Sequence, residues 1–322
     1  MVDVTVQNLA STDSRRMAWH TFLALVTAAT VLPFIVAPLA SEVMPEGTTG
    51  YLLFVVLSFL GGNFHVATTG WFFADPEMRG HFWRNRDRYI RLPVLLVAFT
   101  TLCGLIPALF PYILAGYYSW QLWHYQKQNM GLLSFIAAGT SKVPLSVWER
   151  RTLMAAWLPA GITPLKLLLP DPLYHQVLTL GLVAYGAVAI AFCIAVFKMP
   201  DLRANVLRIA FFSSGVAFFA PLYIFSNPIA AVSSFAIAHG LQYLVFMGTV
   251  NINRQSVFRM VVLTALAVIG TLVLDATQVG MLSGLFIGLV AVHYVYDADI
   301  WRLREPFQRA YMRKRFAFVF DR

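Results

Sequence analysis

Four histidines, His65, His124, His239 and His293, each sit inside a long apolar stretch of the chain. An ionisable side chain in hydrocarbon costs on the order of a few kcal/mol and marks a functional position by default. Neutral imidazole binds zinc, copper, iron or nickel through one ring nitrogen. Four of them at one depth would share a metal ion. Polar residues recur around them at helical spacing. Tyr117, Gln121, His124 and Gln128 form one polar stripe on an otherwise apolar segment. A metal-bound imidazole donates its second N–H to a neighbour, so Gln121 and Gln128 are expected to orient His124, directly or through water. Asp297 follows His293 by one helical turn and is read as a further ligand or as a group that orients one. Gln242 and Tyr243 follow His239 closely, and Asn63 precedes His65; all three are candidates for the layer around the ligands.

Elements able to position these residues must cross a bilayer. The chain has 322 residues, of which 59% are hydrophobic and only 12% charged, with a mean hydropathy of +0.67. Soluble domains carry about a quarter charged residues. Crossing about 30 Å of hydrocarbon takes roughly twenty apolar residues. About ten such windows occur, near 18–40, 51–74, 92–109, 111–137, 150–169, 173–197, 206–226, 228–250, 257–275 and 278–301. Turn chemistry separates several, as at Pro170-Asp171-Pro172 and Ser226-Asn227-Pro228. The expected fold is all-α: a polytopic integral membrane helix bundle of about ten transmembrane helices in a single domain over 1–322. Residues 1–17 form its N-terminal segment, and 303–322 a basic interfacial tail. The two cysteines, Cys103 and Cys193, lie in separate apolar runs and give neither a disulfide framework nor a CxxC site.

Basic residues alternate by loop. Arg15 and Arg16, then Arg79 to Arg91, Lys142 with Arg150 and Arg151, Lys198 with Arg203 and Arg208, Arg254 with Arg259, and Arg302 with Arg304 fall on one side. Glu42, Glu46, Asp171 and Asp275 fall on the other, with Lys166 the one basic exception nearby. The positive-inside rule then puts both termini in the cytoplasm. The net charge of +9 is accounted for by these loops, which leaves no reason to expect a nucleic-acid partner. Counting down from each outer end at 1.5 Å per residue puts His65 at about 21 Å, His124 at about 20 Å, His239 at about 17 Å and His293 at about 22 Å. The four fall in one layer, slightly to the cytoplasmic side of the midplane.

The expected function is that of an integral membrane metal-dependent oxidoreductase. The metal would be iron, mononuclear or dinuclear, in an oxygenase, hydroxylase or desaturase type of site. Its substrate would be lipidic or apolar, and an electron-donor protein would be a partner. Arg84, Arg86 and Arg88 would meet anionic head groups of membrane lipids. The expected location is a multi-pass protein of a bacterial-type inner or plasma membrane. A transporter using the same polar layer and a b-type haem electron-transfer protein are the alternatives. Against transport, acidic residues within the spans are few, Asp297 standing nearly alone. Against haem, four histidines in one layer fit two bis-histidine haems poorly. No HExxH motif or clustered histidine box is present. Several intramembrane histidines holding one non-heme iron is similar in logic to the bacterial carotene-cleaving dioxygenases. No motif of this chain aligns with theirs, so no residue role is carried over.

Overall fold

A computed structural model describes residues 12–43, 64–250 and 280–320. All secondary structure among them is helical. In chain order the elements are α1 (Thr12–Val43), α2 (Phe64–Thr69), α3 (Trp71–Ala74), α4 (Pro76–Arg84), α5 (Leu92–Gly104), α6 (Phe110–Thr140), α7 (Val147–Ala155), α8 (Trp157–Gly161) and α9 (Asp171–Lys198). There follow α10 (Pro200–Arg203), α11 (Val206–Ala217), α12 (Pro221–Ile224), α13 (Pro228–Val250), α14 (Gly280–Ile300), α15 (Pro306–Arg315) and α16 (Ala317–Phe320).

Three of these are long and apolar enough to cross a membrane: Ser14–Ala40 within α1, α9 and α13. Helices α6, with 31 residues, and α14, with 21, also reach the length that a crossing requires. The polar residues of the candidate site dilute their apolar character. Other expected spans are broken by proline. The stretch 150–169 becomes α7, α8 and a 3₁₀ turn over Thr163–Leu167. Pro159 cannot donate to the carbonyl of Ala155, where α7 ends. Likewise Pro221 cannot donate to Ala217, where α11 stops, so 206–226 becomes α11 and α12. Helix α5, with 13 residues, is about 20 Å long, short of the hydrocarbon thickness. The window 257–275, with Arg254 and Arg259, and the first part of 51–74 lie outside the described residues.

Tight packing of α14 along α5 depends on glycines. A Cβ at Gly284 would fall on the Thr100 carbonyl, and one at Gly288 would lie 2.8 Å from the Val97 Cα. Small residues one turn apart let two backbones approach this closely. Helix α1 packs along α13, and α6 meets α11, α13 and α14. One apolar cluster takes Leu132 to Ala137 of α6 and Tyr243 to Val250 of α13; a second takes Leu122 and Tyr125 of α6 with Phe235 to Ala238 of α13. His124 and His239 fall close to the boundary between them.

The two basic surface segments are more ordered than loops. Asp75 caps α4 by accepting from the Met78 N–H at 3.0 Å, and a single π turn over Asp87–Arg91 leads into α5. The tail folds onto the bundle instead of lying free at the interface. Tyr311, Met312, Phe316 and Val319 are buried, while Arg309, Arg313 and Lys314 face outward. Phe316 and Phe318 pack edge-on against Phe22 of α1, at 6.2 and 5.7 Å between ring centroids. Arg315 and the Tyr311 hydroxyl both donate to Asp75 Oδ2, at 2.9 and 3.1 Å.

Arg208, counted above among the surface charges, is 1% exposed, and Glu149 is fully buried. Arg208 Nε and one Nη donate to the two Glu149 oxygens at 2.7 and 2.8 Å. The remaining donors reach Ser141 Oγ and the carbonyls of Val143 and Pro144 at 3.0–3.1 Å. Glu149 also closes a capping box with Ser146 at the start of α7. The pair thus fastens the 141–146 turn to α7 and α11. Removing one partner strands a buried charge, so Glu149→Ala should lower stability by about 3–5 kcal/mol. The double variant Glu149→Leu with Arg208→Met should recover much of that loss in denaturant titrations of the solubilised protein. Additive losses would refute the clamp.

Candidate metal centre

His65 belongs to α2, His124 to α6, His239 to α13 and His293 to α14. These helices pack on one another, α2 against both α13 and α14, and α6 against both as well. Each ring is therefore delivered from a different backbone to one interior point. The four side chains are 2%, 6%, 0% and 2% exposed, and one ligand atom from each lies within 4.8 Å of the others.

The rings form a closed circuit. Centroids are 4.7 Å apart for His65–His239, and 4.9 Å for each of His239–His124, His124–His293 and His293–His65. Neighbouring planes are steeply inclined, at 71° to 86°. His239 Nε2 lies 3.2 Å from His65 Nε2. Two nitrogens bound to one ion at about 2.1 Å are at most about 4.2 Å apart, so the set needs a contraction of about half an ångström at its widest. His124 Nε2, His239 Nδ1 and His293 Nε2 are buried and have no hydrogen-bond partner. Leaving buried polar atoms unsatisfied is costly, and a cation shared among imidazole lone pairs would relieve that cost.

The surroundings hold the rings from outside. Tyr294 stacks on His124 at 4.5 Å and Tyr125 lies over His239 at 4.0 Å. Thr69 Oγ1 is 2.6 Å from His293 Nδ1. Asp297 Oδ2 lies 3.5 Å from His293 Nε2 and 3.8 Å from His124 Nε2. Its other oxygen accepts from the Tyr243 hydroxyl at 2.9 Å. The carboxylate thus faces the His124–His293 edge of the circuit.

The hydrogen-bond partners of the two glutamines expected to orient His124 lie elsewhere than on its ring. Gln121 donates to the Tyr125 hydroxyl at 2.7 Å, and so acts on the ring that covers His239. Gln128 donates to the His239 carbonyl at 2.9 Å and to Gln242 Oε1 at 3.0 Å. Gln242 in turn donates to Thr30 of α1 at 2.9 Å. These amides tie α6, α13 and α1 together behind the circuit; helical spacing showed their common stripe but not which neighbour each would meet. Asn63 lies outside the described residues. Thr69, one turn after His65, belongs to the polar sequence around that histidine, whereas nothing in the sequence distinguishes Tyr125, or Tyr294 beside His293, from ordinary packing aromatics.

The other histidines stand apart. His20 and His175 are exposed. His81 stacks face to face on Phe307 at 4.0 Å, with Nε2 3.4 Å from the Tyr89 hydroxyl. Burial pushes His81 below the ordinary imidazole value; Asp299 opposes this, and Arg84 and Arg88 reinforce it. Arg88 pairs with Asp299 at 2.9 Å, where Tyr89 and Gln308 also donate. Arg84 and Arg86 are exposed. Of the three arginines considered for head-group contact, Arg88 is thus already engaged. No family model, curated protein or solved structure matches this chain.

If the circuit holds a metal, alanine at His124 or His293 should sharply reduce the metal that co-purifies, whereas alanine at His175 should not. Equal metal content in the three variants, measured by plasma mass spectrometry, would show that the circuit is not the binding site.

Proposed function

We propose that the chain is an integral membrane, metal-dependent oxidoreductase whose centre is the His65–His239–His124–His293 circuit. The observation that carries this reading is the convergence of four buried imidazoles, three of which have a nitrogen with no hydrogen-bond partner. An all-imidazole donor set is neutral, so the ion keeps its full positive charge in an apolar interior. Iron is the metal of choice here: imidazole suits it, and it joins Lewis acidity to redox chemistry on dioxygen and hydrocarbon when bound. Four ligands leave coordination positions open on an ion that takes five or six.

The chain's own residues have assignable tasks. The four histidines bind the ion, and Tyr125 and Tyr294 fix the orientation of two of the rings. Asp297 sets a carboxylate oxygen toward the His124–His293 edge, where it can hold a proton beside the centre. Gln128 and Gln242 hold the His239 backbone in register. Apolar packing above and below the circuit excludes water, which suits a lipidic or apolar substrate arriving from the bilayer. In this reading the chain crosses the membrane several times with both termini in the cytoplasm, as the basic loops imply. An external electron donor completes the redox cycle. A bis-histidine haem fits less well, because a macrocycle between two of these rings would collide with the other two.

Elemental analysis and an optical spectrum of the purified protein test the proposal together. About one or two irons per chain without a Soret band are expected. Stoichiometric haem, or a preparation active on its substrate with no transition metal, would overturn it.

A further inference from the structure

Two hydroxyls link one nitrogen of His293 to the carboxylate that faces its other nitrogen. Thr69 Oγ1 lies 2.6 Å from His293 Nδ1 and 2.8 Å from the Tyr243 hydroxyl. Tyr243 donates to Asp297 Oδ1 at 2.9 Å, and Asp297 Oδ2 stands 3.5 Å from His293 Nε2. All four side chains are buried, so no bulk water competes for these contacts. The chain closes on itself through α2, α13 and α14.

With Asp297 as the carboxylate, its protons have one consistent arrangement. Tyr243 has a single O–H, and that proton goes to Asp297. The Tyr243 oxygen can then only accept, and its remaining neighbour in the chain is Thr69. Thr69 spends its own proton on that bond, so toward His293 it can only accept. The proton between them must therefore belong to Nδ1. A neutral imidazole carries one N–H. Nε2 is left with its lone pair, and it is the nitrogen without a hydrogen-bond partner beside the other rings.

We infer that Thr69 and Tyr243 are positioning residues that lock His293 in its Nδ1–H tautomer, keeping Nε2 available as a ligand. The purpose of the lock rests on the metal reading above; the tautomer itself is a property of the protein without any ion. Two acceptors compete for the one proton of His293: Thr69 Oγ1 at 2.6 Å and Asp297 Oδ2 at 3.5 Å. The shorter contact holds it on Nδ1. Without the Thr69 hydroxyl, the carboxylate draws the proton to Nε2 and blocks that nitrogen. Without the Tyr243 hydroxyl, Thr69 regains a free proton and can donate to Nδ1, with the same result.

Nitrogen-15 spectra of the metal-stripped, full-length protein in lipid bilayers, labelled at histidine, read this directly, because the two neutral tautomers differ in ring-nitrogen shifts. The His293 signal is identified by its loss in His293→Gln. Wild type and Thr69→Ser should show Nδ1–H; Thr69→Val and Tyr243→Phe should move toward Nε2–H. Affinity for added ferrous ion should fall about 10–100-fold in Thr69→Val and recover in Thr69→Ser. If Thr69→Val does not fold, Tyr243→Phe carries the same test. A wild-type His293 with its proton on Nε2, or doubly protonated, overturns the inference, as does an unchanged tautomer in the folded variants. The expected tautomers with no ferrous binding by wild type would count against the metal reading alone.

Discussion

A buried imidazole has two nitrogens to satisfy, and an apolar bundle offers few groups that can do it. The arrangement of the interior follows from this constraint. One nitrogen of His293 is met by Thr69, and the rings of His124 and His239 are covered by Tyr294 and Tyr125. What remains is a set of nitrogens turned toward one another, at distances that a single ion could bridge. Buried nitrogens without a hydrogen-bond partner, as on His124, His239 and His293, are unfavourable in a low-dielectric interior. Three of them at one point of a close-packed core are the observation on which the proposed centre rests.

Much of the candidate site was legible in the sequence because a bilayer makes polar residues conspicuous. Four histidines in apolar runs, counted from the ends of their segments, fall at similar depth, and the structure brings the same four together. Asp297 was legible through its spacing of one turn from His293. The partners of Gln121 and Gln128 were not, because helical spacing gives the face of a residue but not the neighbouring helix it will meet. The partner of Thr69 was not legible for a related reason: it lies 224 positions away in the chain. Helix boundaries were least legible where apolar runs hide prolines. Pro159 and Pro221 lie in stretches whose hydropathy reads as continuous, yet each removes a backbone donor and ends the helix before it.

Charge also behaves differently from its position in sequence. Arg208 counts toward the positive loops, but its five N–H donors are spent on Glu149, Ser141 and two carbonyls in the interior. Arg88 and Arg315 are similarly engaged, with Asp299 and Asp75. The basic surface that remains is smaller than the composition implies; Arg84, Arg86, Arg309 and Lys314 are among the residues that still face outward.

The contact of Phe316 and Phe318 with Phe22 has a consequence for how the molecule is made. Nearly three hundred residues separate these rings, so the aromatic cluster they share cannot be completed before residues 316–318 have been made. Contacts so distant in sequence are slow to form, since the entropy of closing the intervening chain must be met first. Phe22 also meets Phe246 of α13 edge-on at 5.3 Å, so the two tail rings complete a cluster that α1 and α13 already share. Local helical contacts therefore form before the long-range closure of residues 316–318 onto α1.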